Sequence, residues 1–442
     1  MSKKPVTSRR GRFLKLAGMT ASVAGQYAGQ RAMRMLGQES EQKRSENYSR
    51  MADQIVDTLG ELKGAVMKVG QVASQTQDFL PKEFSDALQR LQKEAPPMPF
   101  EVIRQQIENE LGQPVQELFG SIDEVPYAAA SIGQVHRAVM KDGSEVIIKV
   151  QYPGVDESCD SDLKQLRLTL KLGGLLKMPK ESADRLFEEI RVRLREELDY
   201  ELEASNIRRF QAFHTRHPWV RIPAVIASHS SRRVLTMELV EGDHAKAVSA
   251  EVYGQDTINL IGKRLFEALA DQLFHFQSIH GDPHPGNFAF RPDGTLIIYD
   301  FGCVKNLRPA IVVAYRHALL AALDEDYETF DQKLIELGAR VATKPMPAPE
   351  WYALWRSILM VPFETDEPFD FRHSEVHKAF AAQTHTVFRY LDHFKPAVES
   401  MFIDRMIAGH YWIMKELGVQ AAFGESLRRY LSDSNDSTEP AR

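Results

Sequence analysis

The sequence predicts an α+β protein of two lobes, a strand-rich lobe and then an all-helical one, with a helical extension in front. The first sign is alternation. Gly133 to Met140 and Glu145 to Gln151 read as a hairpin closed by Lys141-Asp142-Gly143-Ser144. The second is a change of period. Apolar residues recur every three or four positions in Pro309–Leu323, Tyr327–Leu337, Pro349–Leu359, Glu375–Tyr390 and Lys395–Leu417. The third is what lies between: His280-Gly281-Asp282-Pro283-His284-Pro285-Gly286-Asn287, a hairpin reversing at Pro292-Asp293-Gly294, then Asp300-Phe301-Gly302.

The chain of 442 residues divides by pattern into a basic segment 1–37, a helical extension 38–125, a strand-rich lobe 126–240, a helical lobe 241–431 and a polar tail 432–442. The basic segment carries Lys3, Lys4, Arg9, Arg10, Arg12, Lys15, Arg31 and Arg34 before the first acidic residue, Glu39, interleaved with Phe13, Leu14, Leu16, Met19 and Val23. That pattern suits a helix lying on an anionic membrane surface, and equally a solvated, flexible tail. Ser8-Arg9-Arg10 ahead of Phe13-Leu14-Lys15 touches on a twin-arginine export signal. The weakly apolar Ala17–Gln30 that follows argues against export. Met51, Ile55, Leu59, Leu62, Val66, Val69 and Ala73 mark one helix face, with Lys68 and Gln71 together on a neighbouring strip. Helices are expected over Glu83–Lys93 and Phe100–Leu111, the latter stopped by Gly112. Further on come a helical insert at Leu163–Leu176 and one long helix at Glu181–His214. Strands follow at Val220–Ser228 and Arg232–Glu238, and a helix at Tyr253–Ile279 runs into the Asp282 loop.

A net charge of −6 argues against bulk nucleic-acid binding. Two cysteines, Cys159 and Cys303, give no disulfide framework and point to a reducing, cytoplasmic setting. No apolar run approaches the ~20 residues that span a bilayer. Membrane contact is therefore expected to be peripheral, at the inner face.

The chemistry sits in the loop. Asp282 and Asn287 stand at the Asp-to-Asn interval of a kinase catalytic loop, and Asp300-Phe301-Gly302 matches the metal-binding tripeptide of the same site. Asn and Asp oxygens are hard ligands suited to Mg²⁺, and Asp282 would orient the attacking oxygen. The strand-rich lobe completes a two-lobed protein-kinase-like pattern. Val146-Ile147-Ile148-Lys149 supplies a lysine for the α- and β-phosphates of ATP or ADP. Its partner is to be found among Glu196, Glu197, Glu201 and Glu203 on the following helix. Leu235 to Val240, with Glu238 and Val240, has the form of an adenine-binding hinge.

Where kinases carry Gly-x-Gly-x-x-Gly-x-Val, this chain has Ala128-Ala129-Ala130-Ser131-Ile132-Gly133-Gln134-Val135. Alanine lacks the positive-φ freedom that lets backbone N–H groups close on a phosphate. Altered phosphate contact and a changed ATP-versus-ADP preference are the expectation. Gly281 replaces the arginine that usually precedes the loop Asp, and no long activation segment follows Gly302. A peptide substrate has no evident platform.

These residues resemble the AarF/UbiB family of atypical kinases, which includes mitochondrial proteins that support coenzyme Q synthesis. Lys68-Val69-Gly70-Gln71 matches the family's KxGQ motif, Ala128 to Ser131 its alanine-rich loop, and Glu197-Leu198-Asp199 its ExD motif. His280 to Asn287 and Asp300 to Gly302 match its catalytic and metal segments. The resemblance runs from about Val6 to the C-terminal helices. It implies that Glu203 pairs with Lys149. It implies that Lys68 and Gln71 gate the nucleotide site opposite Glu197 and Asp199, on helices that block the protein-substrate groove. It implies ATP hydrolysis linked to lipid metabolism rather than protein phosphorylation. Implied partners are a nucleotide, anionic lipid, a quinone-precursor-like small molecule and lipid-biosynthesis proteins. Rival expectations are a phosphotransferase acting on a small molecule or lipid, and a nucleotide-sensing scaffold without turnover.

Overall fold

The computed structural model describes residues 9–35, 41–62, 83–84, 86–87, 97–129, 132–176, 180–395 and 397–432. Its first unit joins Met1–Ser205 to Ala224–Leu239. An antiparallel sheet organises that unit. Its strands are β1 (Ser121–Ile122), β2 (Ala128–Ala129), β3 (Gly133–Val139), β4 (Glu145–Gln151) and β6 (Val234–Glu238), β5 (Val220–Arg221) belonging to the second unit. The expected hairpin is β3–β4, in register from Gly133 opposite Gln151 to Val139 opposite Glu145. Gly143 takes φ 87° in its turn, and Asp142 Oδ1 accepts from the Ser144 N–H. Strand period two buries Val146, Ile148 and Val150 against the core, and this sends Lys149 to the other face. Ile103 and Ile107 of the helix Phe100–Leu111 join that core, as do Leu163 and Leu166 of the helix Val155–Leu172. Each such side chain contributes roughly 1.5–3 kcal/mol by leaving water.

Over Arg9–Met35 the basic N-terminal segment is neither loose nor wholly solvated. Residues Arg9–Met35 form a helix that buries Leu16, Met19 and Val23 beside the helix Val155–Leu172. Arg12 is itself buried, its Nε donating to Asp162 Oδ2 at 3.0 Å. Thr20 and Thr169 share a hydroxyl contact at 2.6 Å. A flexible tail is thus corrected over these residues. The expected helical extension opens with the helix Glu41–Leu62, which buries Met51 and Ile55 of the predicted face. Lys68, Gln71, Ala130 and Ser131 lie outside the described residues.

The long helix expected at Glu181–His214 is two helices, Lys180–Glu197 and Tyr200–Phe213. The break has a local cause. Asp199 Oδ1 accepts the Leu202 N–H at 3.0 Å, while the Tyr200 N–H leaves the helix to meet the Arg232 carbonyl at 3.0 Å. Asp at an N-cap competes for its own backbone, and apolar periodicity does not report it.

The second unit joins Asn206–Pro223 to Val240–Arg442. The strand expected over Val220–Ser228 shrinks to β5 (Val220–Arg221), followed by a 3₁₀ turn at Ala227–His229. The helix expected to run from Tyr253 to Ile279 ends at Phe274. Gln277 turns the chain at φ 51°, and β7 (Ser278–His280) follows. The hairpin around Pro292-Asp293-Gly294 forms as β8 (Phe288–Phe290) and β9 (Leu296–Ile298), and β5 adds to β9 in parallel. Directly after Gly302 the chain makes a strand, β10 (Val304–Asn306), paired with β7, and further on two short strands, β11 (Phe369–Asp370) and β12 (Gln420–Ala421), pair with each other. Helices then follow where the periodicity predicts them, at Pro309–Leu323, Tyr327–Glu336, Pro349–Leu359, Val376–Val387 and Val398–Leu417. The strands missed are two or three residues long, too short for a period-two signal. Among the described residues no helix is long and apolar enough to cross a membrane.

Candidate functional site

In the first unit the lysine finds its carboxylate. Lys149 Nζ donates to Glu203 Oε1 at 2.7 Å, with the two side chains 12% and 2% exposed. Of the glutamates open to it by sequence, Glu201 and Glu203 both lie on the first turn of Tyr200–Phe213, and Glu203 is the one that meets the lysine. Its N–H donates to the Asp199 carbonyl, so the break that splits the long helix also sets Glu203 in place. Lys149 also lies over the Tyr200 ring at 5.4 Å. Glu197 is the last residue of Lys180–Glu197 and half-buried.

Ala128 and Ala129 form β2, opposite Val135 and Gln134. They hold ordinary extended backbone, where alanine is tolerated. Gly133 is required for another reason: a Cβ there would run into the Val150 carbonyl. Glu238 ends β6, its N–H donating to the Ala224 carbonyl at 2.8 Å.

In the second unit the Val240 carbonyl accepts from the Tyr299 hydroxyl at 2.8 Å. Asn287 Nδ2 donates to both the carbonyl and Oδ2 of Asp282, at 3.0 Å each. That double donation fixes the amide, and it turns the amide oxygen away as the atom fit to ligate a cation. Asp300 Oδ1 accepts the Gly302 N–H at 2.9 Å, and the Asp300 carbonyl accepts from His280 Nε2. Phe301 is fully buried, edge-on to His280 and near Phe210. Asn206 donates to the Phe301 carbonyl at 3.1 Å. The Asp-Phe-Gly stretch is thus held at its carbonyls and its ring.

Among the described residues no three His, Cys, Asp or Glu side chains gather as a metal cage. The donor set still fits Mg²⁺. That ion keeps waters and takes one or two protein oxygens plus phosphate, which an Asn amide oxygen and an Asp carboxylate provide.

Behind the loop runs a buried chain of polar groups. The His280 N–H donates to Gln272 Oε1 at 3.1 Å, and Gln272 Nε2 meets His214 Nε2 at 3.2 Å. His214 Nδ1 meets His217 Nδ1 at 3.0 Å, and His217 Nε2 reaches Asp271 at 2.6 Å. Burial pushes the His214 imidazole down to about 3, with His217 adding to the effect. A neutral His214 accepts at Nε2 and donates at Nδ1, and every bond in the chain then has one donor.

Residues 90–334 match the ABC1 atypical kinase-like domain. This chain belongs to that family. The AarF/UbiB resemblance read from the motifs is borne out, and so is the kinase-like fold. The chloroplastic protein ACTIVITY OF BC1 COMPLEX KINASE 7 of Arabidopsis thaliana is 33% identical over 68% of this chain. The chain spans only 43% of that relative's length. The mitochondrial atypical kinase COQ8B of Rattus norvegicus is 30% identical over 88% of this chain and 74% of its own. Among solved structures, Rv3197 of Mycobacterium tuberculosis, in complex with erythromycin, superposes with a TM-score of 0.61. It is 29% identical, over 89% of this chain and 98% of that one.

Sequence reasoning missed Asn206, Gln272 and Arg405. Asn206 lies three positions after Glu203 on one helix, a spacing that places both on neighbouring faces. Arg405 Nη2 donates to Asp282 Oδ1 at 3.1 Å across 123 positions of chain, and no local pattern announces such a contact.

Proposed function

We propose that this ABC1-family chain binds a magnesium nucleotide, ATP or ADP, and hydrolyses ATP slowly in support of ubiquinone or related isoprenoid-lipid metabolism. The Lys149–Glu203 pair carries the reading. A buried carboxylate 2.7 Å from the amine orients the lysine as a phosphate-binding cation instead of a solvated one. In this reading Lys149 holds the α- and β-phosphates, and Glu238 and Val240 lie at the adenine. Asn287 and Asp300 would hold Mg²⁺, which would supply the positive charge that phosphoryl transfer needs. Asp282 orients the attacking water. Ala128 to Ser131 line the phosphates with less backbone freedom than glycines, which favours hydrolysis that is slow. Lys68 and Gln71 gate the site with Glu197 and Asp199.

The acceptor is water, and a quinone-precursor-like phenol or a lipid-biosynthesis protein is the ligand that couples turnover to metabolism. Phe13 and Leu14 of the N-terminal helix are 57% and 70% exposed, which supports peripheral docking on anionic lipid at the inner face of a membrane.

Thermal unfolding with and without Mg-ATP, run alongside phosphate release, tests the reading. A ligand at a hundredfold its Kd stabilises by about 2.7 kcal/mol. Asp300→Asn should abolish the Mg²⁺-dependent part of that shift and the release of phosphate. Anionic liposomes with a quinone-precursor-like phenol should raise wild-type release. A full Mg-ATP shift in Asp300→Asn would remove the metal assignment.

A further inference from the structure

Asp282 is paired with a cation that its own loop does not carry. Gly281 stands where an arginine usually precedes the loop Asp, and the next loop side chain able to donate is His284. The guanidinium comes instead from Arg405, on the helix Val398–Leu417.

That helix is fixed against the loop independently of the ion pair. Ile403 and Met406, flanking Arg405, are fully buried. Gly409, one turn on, lies so close to Pro283 that a Cβ would collide with the proline ring. His410 is buried and stands edge-on to Phe288, with ring centroids 5.6 Å apart. Arg405 and Gly409 are four apart, hence on one helix face, and both meet the segment Asp282–Pro283.

The pair itself contributes little to folding. Its side chains are 27% and 25% exposed, and ion pairs that wet add little to stability. Its geometry acts on orientation. Oδ1 of Asp282 accepts from Arg405 at 3.1 Å, and Oδ2 accepts from Asn287 at 3.0 Å. Two donors on two oxygens hold the carboxylate in one rotamer. Each carboxylate oxygen accepts two hydrogen bonds, so one acceptor site per oxygen remains for an attacking water or hydroxyl.

We infer that Arg405 is a positioning residue for the phosphoryl chemistry, acting through Asp282 from the C-terminal helix. This rests on the hydrolysis reading above.

The test is single-turnover and steady-state phosphate release by the full chain. The variants are Arg405→Gln, Arg405→Lys, Asp282→Asn and the Arg405→Gln/Asp282→Asn double. Arg405→Gln should lower kcat by about tenfold or more and leave KM for Mg-ATP within about threefold, the signature of a contact that matters in the transition state. Arg405→Lys should recover most of the loss. The double variant should be no slower than Asp282→Asn, because residues acting as a unit are not additive. Wild-type kcat in Arg405→Gln overturns the proposal and leaves the hydrolysis reading intact. Multiplying effects in the double variant overturn it equally, since Arg405 would then act elsewhere. Absence of Mg-ATP-dependent release in the wild type overturns the hydrolysis reading, and the role of Arg405 with it.

Discussion

Removing the Arg12 guanidinium should loosen the N-terminal helix more than any surface change to that helix. Arg12→Met keeps most of the side-chain volume and leaves Asp162 buried at 1% exposure without its cation. Breaking a buried pair by removing one partner costs about 3–5 kcal/mol. Against it stand Leu16, Met19 and Val23, at 1%, 3% and 0% exposure. At about 1.5–3 kcal/mol each these set an upper bound of roughly 5–9 kcal/mol for docking, before ordering entropy is subtracted. The loss is therefore a large fraction of what holds Arg9–Met35 down. The double change Arg12→Met/Asp162→Leu removes both charges and should recover stability to within about 1 kcal/mol of wild type or better. Urea midpoints give the energies, and limited tryptic digestion reports whether the helix detaches. The argument is refuted if Arg12→Met costs less than about 1 kcal/mol, the value of a wet pair. It is equally refuted if the single and double variants match.

Asp199→Ala should cost about 1 kcal/mol through the lost N-cap on Leu202 and should weaken ATP affinity by displacing Glu203. Asp199→Asn, which keeps the cap, should hold stability; an equal stability loss in both variants would assign the residue's structural role to its charge and not to capping. His214 makes stability acid-sensitive. Its folded value lies near 3, below the ordinary histidine value of 6.5, so only the unfolded chain gains the proton between them. Stability is then fully present above 6.5 and falls as pH drops, by up to about 1.4 kcal/mol per pH unit. His410, pushed down to about 4 by burial, adds to the same slope. Urea midpoints from pH 7.5 to 5 should fall below pH 6.5, and less steeply in His214→Gln; an unchanged slope in that variant defeats the assignment.

The local segments around the candidate site were legible because their signals are short. The Asp282–Asn287 interval, the Asp-Gly hairpin turn and the Asp300 tripeptide each span fewer than ten residues, and the structure forms both hairpins. Lys149 faced the right way because strand alternation puts Val146, Ile148 and Val150 on the opposite side. What stayed hidden depends on partners far along the chain. The docking of Arg9–Met35 needs Asp162, and the orientation of Asp282 needs Arg405. The break at Leu198–Asp199 was hidden by its own periodicity. A capping Asp inside a charged, amphipathic run reads as one more surface carboxylate unless its Leu202 contact is seen.

The alanine loop also takes on a sharper meaning. Glycine serves kinases there in two ways, by letting backbone come close and by reaching positive φ. Gly133 keeps the first role, since any Cβ would strike the Val150 carbonyl. Ala128 lies where the second role would act, and it is paired as strand to Val135. A residue committed to extended pairing does not turn its N–H toward a phosphate on demand. On the proposed reading, neutralising the phosphates would fall more heavily on Lys149, whose amine Glu203 fixes, and on the cation that Asn287 and Asp300 are suited to hold. Restoring glycine at 128 would loosen β2 and free its N–H groups in one step. Tighter nucleotide binding bought at the expense of β2 pairing is the expected outcome, because the same backbone atoms cannot serve both.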